Sequence, residues 1–486
     1  MLSRREFMKS SVLLGSYLNF HGKTPAGGSQ SGYVSNRPAA HARRFTSKAV
    51  EEKILKVKSM VKDKEIAWMF ENCFPNTLDT TVDYEQVDGR PDAFVITGDI
   101  DAMWLRDSTA QVLPYLPLVT EDDALKNLIR GLIHRQTLCV LLDPYANAFY
   151  KDRTKISEWN SDKPAMKPGI HERKWEVDSL CYVIRLANEY YKITKDASIF
   201  DADWDKAMRQ TVQTFKTEQR KDGSSPYWFN RRTDVMIDAP PYNGTGQPIR
   251  PVGLICSMFR PSDDATLFPF LIPSNLFASQ SLRQLARIYA GELKDASFAN
   301  ECDTLADAVE SAVKKHAVSE YLEFGEIYAY EVDGFGNRIF LDDANVPSLI
   351  SLAYLGIHEP TDALYRNTRR FVLSGSNPFY LSGKAAEGQG SPHTGKANIW
   401  PMGLILRAIT SIDEKEIAEC LGTLKRTHAG TGFMHESFHK DDASNFTRKW
   451  FAWANTLFGE LVLKVLAEHP HVLKKQTTFN GMRQKA

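Results

Sequence analysis

The chain has 486 residues, of which 43% are apolar and 25% charged, and its 60 acidic residues are balanced by 60 basic ones. This length allows two or three ordinary domains or one large single-core architecture. The balanced charge gives no strong field for nucleic acid or an anionic membrane, so a neutral polar partner fits better. The six cysteines form no close pairs and no CxxC motif, which predicts neither a zinc–thiolate site nor a disulfide scaffold.

The first twenty residues resemble a twin-arginine export signal. Ser3-Arg4-Arg5-Glu6-Phe7-Met8-Lys9 precedes a weakly apolar stretch over residues 12–18. We therefore expect export to the periplasm, the alternative being a plain basic tail. Residues 21–45 are rich in Gly, Ser, Pro and Ala, so residues 1–45 are predicted to be signal and linker, and 46–486 a single domain. No other segment has the uninterrupted apolar run of a membrane span.

Helical periodicity dominates from about residue 47 onward. Helices are predicted over residues 274–293, 302–318, 361–373, 412–424 and 450–466, with Ser274 able to cap the first of them. Strand-like alternation is confined to short stretches at 93–97 and 327–332. The predicted fold class is therefore mostly α.

A weak internal rhythm accompanies these helices. Six Asp or Asn residues stand ahead of, or at the start of, an apolar segment: Asp107, Asp178, Asp264, Asp343, Asn398 and Asn455. Six helix pairs with polar starts describe an (α/α)6 toroid, or (α/α)6 barrel, whose inner helices begin around one mouth and gather polar side chains there. Because the spacing is unequal, the same rhythm also fits an open helical solenoid.

Two segments combine aromatic rings with polar groups in a way that suits a sugar subsite, and a third is a Gly/Pro-rich loop that could form the rim of a pocket. A Trp face stacks on a sugar ring, and neighbouring charged groups make bidentate contacts with vicinal hydroxyls. The ordinary alternatives are a local ion pair, a charged helix start and a plain Gly/Pro-rich connection. The candidate residues are Trp104, Arg106 and Asp107 in the first segment, Lys174, Trp175, Glu176 and Asp178 in the second, and His393 and Trp400 in the third.

His435-Glu436-Ser437-Phe438-His439 spells the HExxH string of zinc peptidases. In those enzymes the string lies on a helix, which brings both histidines to the metal. Here glycines precede it and no apolar helical run flanks it, so the helix is not expected. Glu460 could be proposed as a third ligand, but we favour a glycosidase function over a zinc-peptidase function.

Glycoside hydrolysis needs two carboxyl groups on opposite sides of the scissile bond. In an inverting enzyme they stand roughly 6.5–9.5 Å apart, which leaves room for the attacking water. Asp263, with Asp264 beside it to raise its pKa, is the predicted general acid, and Glu436 is the predicted general base. The alternative for Asp263 and Asp264 is a purely structural role as a helix N-cap.

Six ordered motifs together resemble glycoside hydrolase family 125. They lie at residues 103–108, 174–179, 259–264, 272–275, 398–401 and 434–438. The resemblance implies an (α/α)6 barrel and an inverting exo-α-mannosidase, which removes terminal mannose, typically α-1,6-linked, from glycans without metal or cofactor. It also implies site roles for Arg260, Asp264, Asn275 and His435, and does not itself separate Asp263 from Asp264 as the acid. A non-catalytic glycan-binding toroid is the remaining alternative.

Overall fold

The computed structural model describes residues 33–223 and 225–474. Its main helices are α1 (Lys48–Met60), α2 (Lys64–Cys73), α3 (Asn76–Thr80), α4 (Leu105–Val112), α5 (Asp123–Leu142), α6 (Val177–Thr194), α7 (Ala202–Glu218), α8 (Ile272–Ile288), α9 (Ala296–His316), α10 (Ala363–Val372), α11 (Pro401–Ile409), α12 (Glu414–Thr427), α13 (Ala452–Glu468) and α14 (Pro470–Lys474). The predicted mostly helical class is confirmed.

The helices form two concentric layers. The inner layer contains α4, α6, α8, α11 and α13, and a 3-10 turn at Ile350–Leu352 takes the place of the remaining inner helix. Helices α5, α7, α9, α10 and α12, together with α1 and α2, lie outside. Contacts between α13 and α4 close the inner ring, which makes the fold an (α/α)6 toroid rather than an open solenoid.

The strands are short and lie mostly in the connections that lead into the inner helices. They are β1 (Val82–Val87), β2 (Arg90–Val95), β3 (Met103–Trp104), β4 (Ala148–Phe149), β5 (Ile170–Glu172), β6 (Phe270–Leu271), β7 (Val318–Glu320), β8 (Glu326–Tyr328), β9 (Glu331–Val332), β10 (Arg338–Ile339), β11 (Tyr380–Ser382), β12 (Glu387–Gln389), β13 (Asn398–Ile399), β14 (Phe438–His439) and β15 (Asp442–Phe446). All pairings are antiparallel, in the orders β1-β2, β3-β4-β5, β10-β9-β6, β7-β8, β11-β12 and β13-β14-β15. Sheet β3-β4-β5 contains the strand that leads into α4, and sheet β13-β14-β15 contains the strand that leads into α11.

The start of α8 differs from the sequence-based expectation. Ser274 was expected to cap this helix, but the helix begins at Ile272 with Pro273 in its first turn and Leu271 as its N-cap. Proline suits this position because the N–H it lacks would have no partner there. The Ser274 hydroxyl is released from capping and instead donates to Asp178 Oδ1 at 3.3 Å.

The segment over residues 33–45, assigned to a linker by its composition, packs on the helical domain. Arg37 is held by Asp79 (Nε–Oδ2, 2.7 Å) and by Glu51 (Nη1–Oε2, 2.9 Å). The amide N–H of Asn36 donates to Asn72 Oδ1 at 2.8 Å. The folded unit therefore includes residues that precede the predicted boundary at 46. The predicted export signal lies outside the described residues, and no described helix is long and apolar enough to cross a membrane.

Closure of the ring brings α13 against the end of α2. A Cβ added at Gly459 in α13 would lie 2.6 Å from Phe74 Cδ2 and 3.1 Å from its Cα. We predict that Gly459→Ala lowers the free energy of unfolding by about 1–3 kcal/mol, the usual cost of overpacking. Chemical denaturation measures it.

Gly291→Ala is the matched control, because a Cβ there meets no atom within 4 Å. It should leave stability unchanged or slightly raised. Equal stability of the two variants would contradict the close packing of α13 on α2.

Candidate active site

Arg106 stands at the centre of the candidate site, in the first turn of α4. Its Nη1 lies 2.6 Å from Glu176 Oε2 and 3.2 Å from Asp178 Oδ2, both at the start of α6. Its Nη2 lies 3.3 Å from Asp263 Oδ1, and its Nε lies 3.4 Å from Asp107 Oδ2. The starts of two inner helices and the loop before α8 therefore converge on one guanidinium. This agrees with the expectation that the inner helices of a toroid gather polar side chains where they begin.

Lys174 supplies a second positive charge next to the backbone of Asp263. Its Nζ donates to the Asp263 carbonyl at 2.8 Å and to Asp238 Oδ1 at 2.9 Å, and lies 3.5 Å from Glu172 Oε1. The Lys174 side chain is fully buried. Charges buried this deeply need paired partners, and Lys174 has three.

The backbone conformation at Asp263 explains why the side chains of the adjacent residues Asp263 and Asp264 lie in different environments. Asp263 has a φ of 63°, in the left-handed region that Asp tolerates better than most residues. Its amide N–H donates to the Arg260 carbonyl at 2.9 Å, which closes a tight turn. The Asp263 side chain turns to Arg106 and keeps 17% exposure, whereas the Asp264 side chain is fully buried.

Asp264 faces the Gly/Pro-rich loop that the sequence singled out. Its Oδ1 lies 3.0 Å from His393 Nδ1. The His393 ring lies 6.2 Å from the ring of Trp400, whose Nε1 donates to Thr394 Oγ1 at 2.8 Å. These contacts attach the loop to the turn at Asp263, so the loop is part of the site and not a plain connection.

Glu436 lies in the loop before β14, and the β14-β15 hairpin brings Thr447 to it. Thr447 Oγ1 donates to Glu436 Oε2 at 2.8 Å, and Arg448 Nε lies 3.6 Å from Glu436 Oε1. Arg448 also pairs with Asp99 (Nη1–Oδ1, 3.2 Å). The hairpin thus fixes both carboxylate oxygens of the predicted base.

The charge of Arg448 acts on both predicted catalytic carboxyls. Burial lowers its pKa, but surrounding carboxylates, Glu436 first and Asp263 among them, outweigh that effect and raise it. The same guanidinium therefore acts on both Glu436 and Asp263. Arg448 thus contacts the predicted base directly and acts on the predicted acid through its charge.

The HExxH hypothesis fails on geometry. His435 lies in a loop and His439 in β14, so no helix presents them on a common face. His435 stacks on Phe446 at 3.9 Å, and its Nδ1 is 2.9 Å from the Arg448 carbonyl oxygen. Within the described part of the chain no cluster of three or more His, Cys, Asp or Glu residues could hold a metal ion.

Several predicted sugar contacts are buried among protein groups. Arg260 Nε binds Glu331 Oε1 at 2.7 Å, and Asn275 bonds through both amide atoms to the backbone of Ile255. Trp175 donates its Nε1–H to the Cys256 carbonyl at 2.7 Å. These side chains hold the loops around the site, and their contact with a sugar stays a prediction. Trp104, 6% exposed, packs edge-on against the His171 ring.

The charged cluster around Arg106 and Lys174 has further members that no sequence pattern indicated. Asn147 Nδ2 lies 3.2 Å from Asp263 Oδ1 and 3.3 Å from Glu172 Oε2. Arg231 Nη1 lies 2.9 Å from Glu172 Oε1. Burial raises the pKa of Glu172, but Lys174 and Arg231 outweigh it and lower the pKa to about 2. A lone Asn between apolar residues gives no signal that could have identified it in advance.

Comparison with known proteins assigns the chain to a family of enzymes. Residues 63–463 match the family of metal-independent α-mannosidases, GH125. The meiotically up-regulated gene 157 protein of Schizosaccharomyces pombe is 42% identical over 460 residues, covering 91% of this chain and 90% of that protein. A solved Streptococcus pneumoniae metal-independent α-mannosidase, described in a non-productive complex with α-1,6-mannobiose, is 40% identical. It superposes with a TM-score of 0.84 over 87% of this chain and 99% of that one.

The fold and these matches define a glycoside hydrolase. The chain belongs to the GH125 family of metal-independent α-mannosidases.

Thr447 offers a test of how the hairpin holds Glu436. Thr447→Val keeps the branched shape and removes the hydroxyl that donates to the carboxylate. A hydrogen bond to a charged group contributes about 1.5–3 kcal/mol, so kcat/KM for an α-mannoside should fall by about 10- to 100-fold. Steady-state kinetics at constant pH measures the loss.

Thr304→Val is the control, because the Thr304 hydroxyl only donates to the Asn300 carbonyl of its own helix on the surface. This variant should keep wild-type kinetics. A Thr447→Val enzyme with unchanged kcat/KM would contradict a positioning role for Thr447.

Proposed function

We propose that this protein is an inverting exo-α-mannosidase that hydrolyses non-reducing terminal α-1,6-linked mannose, with Asp263 as general acid and Glu436 as general base. The observation that carries the roles is that Arg106 pairs with Asp263, while Arg448 pairs with Glu436 and its charge also acts on Asp263. The linkage is supported by the α-1,6-mannobiose in the pneumococcal relative. The natural partner is then a mannose-containing glycan.

The division of labour between Asp263 and Asp264 rests on exposure. Asp263 keeps part of its carboxyl accessible, so it can reach a glycosidic oxygen. Asp264 is fully buried against His393, which suits a group that holds the loop in place. A general acid must come within hydrogen-bond reach of the leaving oxygen, and this favours Asp263.

In the proposed reaction, Asp263 protonates the glycosidic oxygen while Glu436 removes a proton from the attacking water. The C1–O bond breaks as water adds to the opposite face, so the first product is β-mannose. Thr447 and Arg448 hold the Glu436 carboxyl in position for this step. The step uses no metal, in agreement with the family.

A panel of linkage-defined mannobioses tests this proposal. We expect α-1,6-mannobiose to be cleaved fastest, β-mannose to appear first in the NMR spectrum, and chelation to leave the rate unchanged. Initial release of α-mannose would contradict the inverting mechanism, and mannoside binding without turnover would select the non-catalytic alternative.

Asp263→Asn and Asp264→Asn form a matched pair in the same assay. Loss of turnover in the first, with sugar binding retained, is the expected result. Full activity of Asp263→Asn would move the acid to Asp264 or elsewhere.

We also propose that the protein is exported to the periplasm by its twin-arginine-like N-terminus. The string Ser3-Arg4-Arg5-Glu6-Phe7 supports this proposal, since twin arginines mark folded cargo for export. Replacing both Arg4 and Arg5 with Lys should retain the protein in the cytoplasm of a host with this pathway. Cell fractionation measures it. Wild-type protein found only in the cytoplasm would contradict the proposal.

A further inference from the structure

The carboxyls of Glu176 and Asp263 pair with the two terminal nitrogens of one guanidinium, that of Arg106. We propose that Glu176 stores the proton that the Asp263 acid delivers to the leaving group, and thus acts as a positioning and proton-holding residue that never touches the sugar. The inference rests on the proposed function and assigns to Glu176 a role within that site.

The placement of Glu176 carries the first step. Its side chain is fully buried at the start of α6. Oε2 accepts hydrogen bonds from Arg106 Nη1 at 2.6 Å and from Ser179 Oγ at 2.9 Å. No N–H or other O–H of the described residues donates to Oε1, which is buried. Oε1 is therefore the Glu176 oxygen that can share a proton with Asp263, whose Oδ1 pairs with the same guanidinium.

A hydrogen bond between two carboxyl groups requires a proton, since two carboxylates offer only acceptors. Arg106 cannot remove this need, because its one charge is shared with Asp178 and Asp107 as well. Like charges in contact cannot both ionise, so the pair holds one proton between them.

The surroundings decide which carboxyl holds this proton before substrate binds. Burial raises the pKa of Glu176 well above its ordinary value, and Arg106 does not offset that effect. Burial also raises the pKa of Asp263, but the charges of Arg106 and Lys174 outweigh it and lower the pKa. The charged and titratable groups that act on the pair are Arg106, Asp107, His171, Glu172, Lys174, Asp178, His393 and Arg448.

Substrate binding then shifts the proton. A sugar over Asp263 covers the 17% of its side chain that is exposed, and this desolvation raises the pKa of Asp263 towards that of Glu176. Glu176 passes its proton to Asp263, which protonates the glycosidic oxygen as the C1–O bond breaks and its electron pair goes to that oxygen. Water adds to C1 and gives a proton to Glu436. Solvent then reprotonates Glu176, and Glu436 releases its proton.

Glu176→Gln tests the inference, because the amide keeps the size and a donor to Asp263 but carries no proton to transfer. With α-1,6-mannobiose, whose leaving group needs protonation, kcat/KM should fall by about 100-fold or more. With 2,4-dinitrophenyl α-mannoside, whose leaving group departs as an anion, the loss should stay within about 10-fold. The alkaline limb of the mannobiose pH profile should also move to lower pH, because Asp263 then titrates without its partner.

Glu460→Gln is the matched control. Glu460, on α13, is another buried glutamate with a raised pKa, but it bonds to Tyr354 Oη, away from the charged cluster. This variant should leave the ratio between the two substrates and the pH profile unchanged. Equal loss on both substrates, or an unmoved alkaline limb in Glu176→Gln, would overturn the inference and leave Glu176 a structural role.

A measurement on the wild-type enzyme covers the case in which Glu176→Gln does not fold. With ¹³C-labelled glutamate, NMR should show a carboxyl that is protonated near neutral pH and ionises when mannose binds. Glu460 could also give a protonated signal, so any signal that is lost in Glu460→Gln is assigned to Glu460 and set aside. A protonated carboxyl that ignores mannose, or its absence, would overturn the inference. Wild-type enzyme that cleaves neither mannoside would instead overturn the proposed function.

Discussion

The sharing of Arg106 among carboxyl groups is the interaction on which the site depends. One guanidinium binds Glu176, Asp178 and Asp263 and lies against Asp107, with almost no exposure to water. Removing a buried partner of this kind leaves uncompensated charge and costs several kcal/mol, so the arrangement is tightly specified. It also leaves more carboxyls than positive charges can balance. That excess is what allows a proton to be kept inside the site.

The toroid provides the frame for this cluster. The first turns of α4 and α6 bring Arg106 and Asp178 together, and short sheets lead the chain into these helices. The loops that carry the proposed catalytic carboxyls are positioned differently from these helices. Asp263 sits in a left-handed turn, and Glu436 precedes a hairpin, so each carboxyl is aimed by local backbone geometry while the helices fix its surroundings.

Helical periodicity and the rhythm of polar helix starts predicted the mostly helical toroid, because burial of one helix face imposes a pattern that sequence displays directly. Six ordered motifs predicted the family because together they resemble those of glycoside hydrolase family 125, and the family match confirms it. Ser274 was assigned wrongly as a cap, since its partner Asp178 comes from another helix pair. Asn147 and Thr447 escaped notice because their contacts with Asp263 and Glu436 depend on how distant loops meet, which no local pattern records. Ring closure likewise needed coordinates.

In the proposed mechanism, Asp263 and Glu436 act on the same glycosidic bond from opposite sides. A crystal structure of the Asp263→Asn enzyme with intact α-1,6-mannobiose would show both side chains against the substrate. We expect the amide introduced at position 263 to lie within hydrogen-bond distance of the glycosidic oxygen, and Glu436 to hold a water below C1, on the opposite face of the sugar. A terminal mannose bound with Glu436 on the same face as position 263, or away from both side chains, would contradict it.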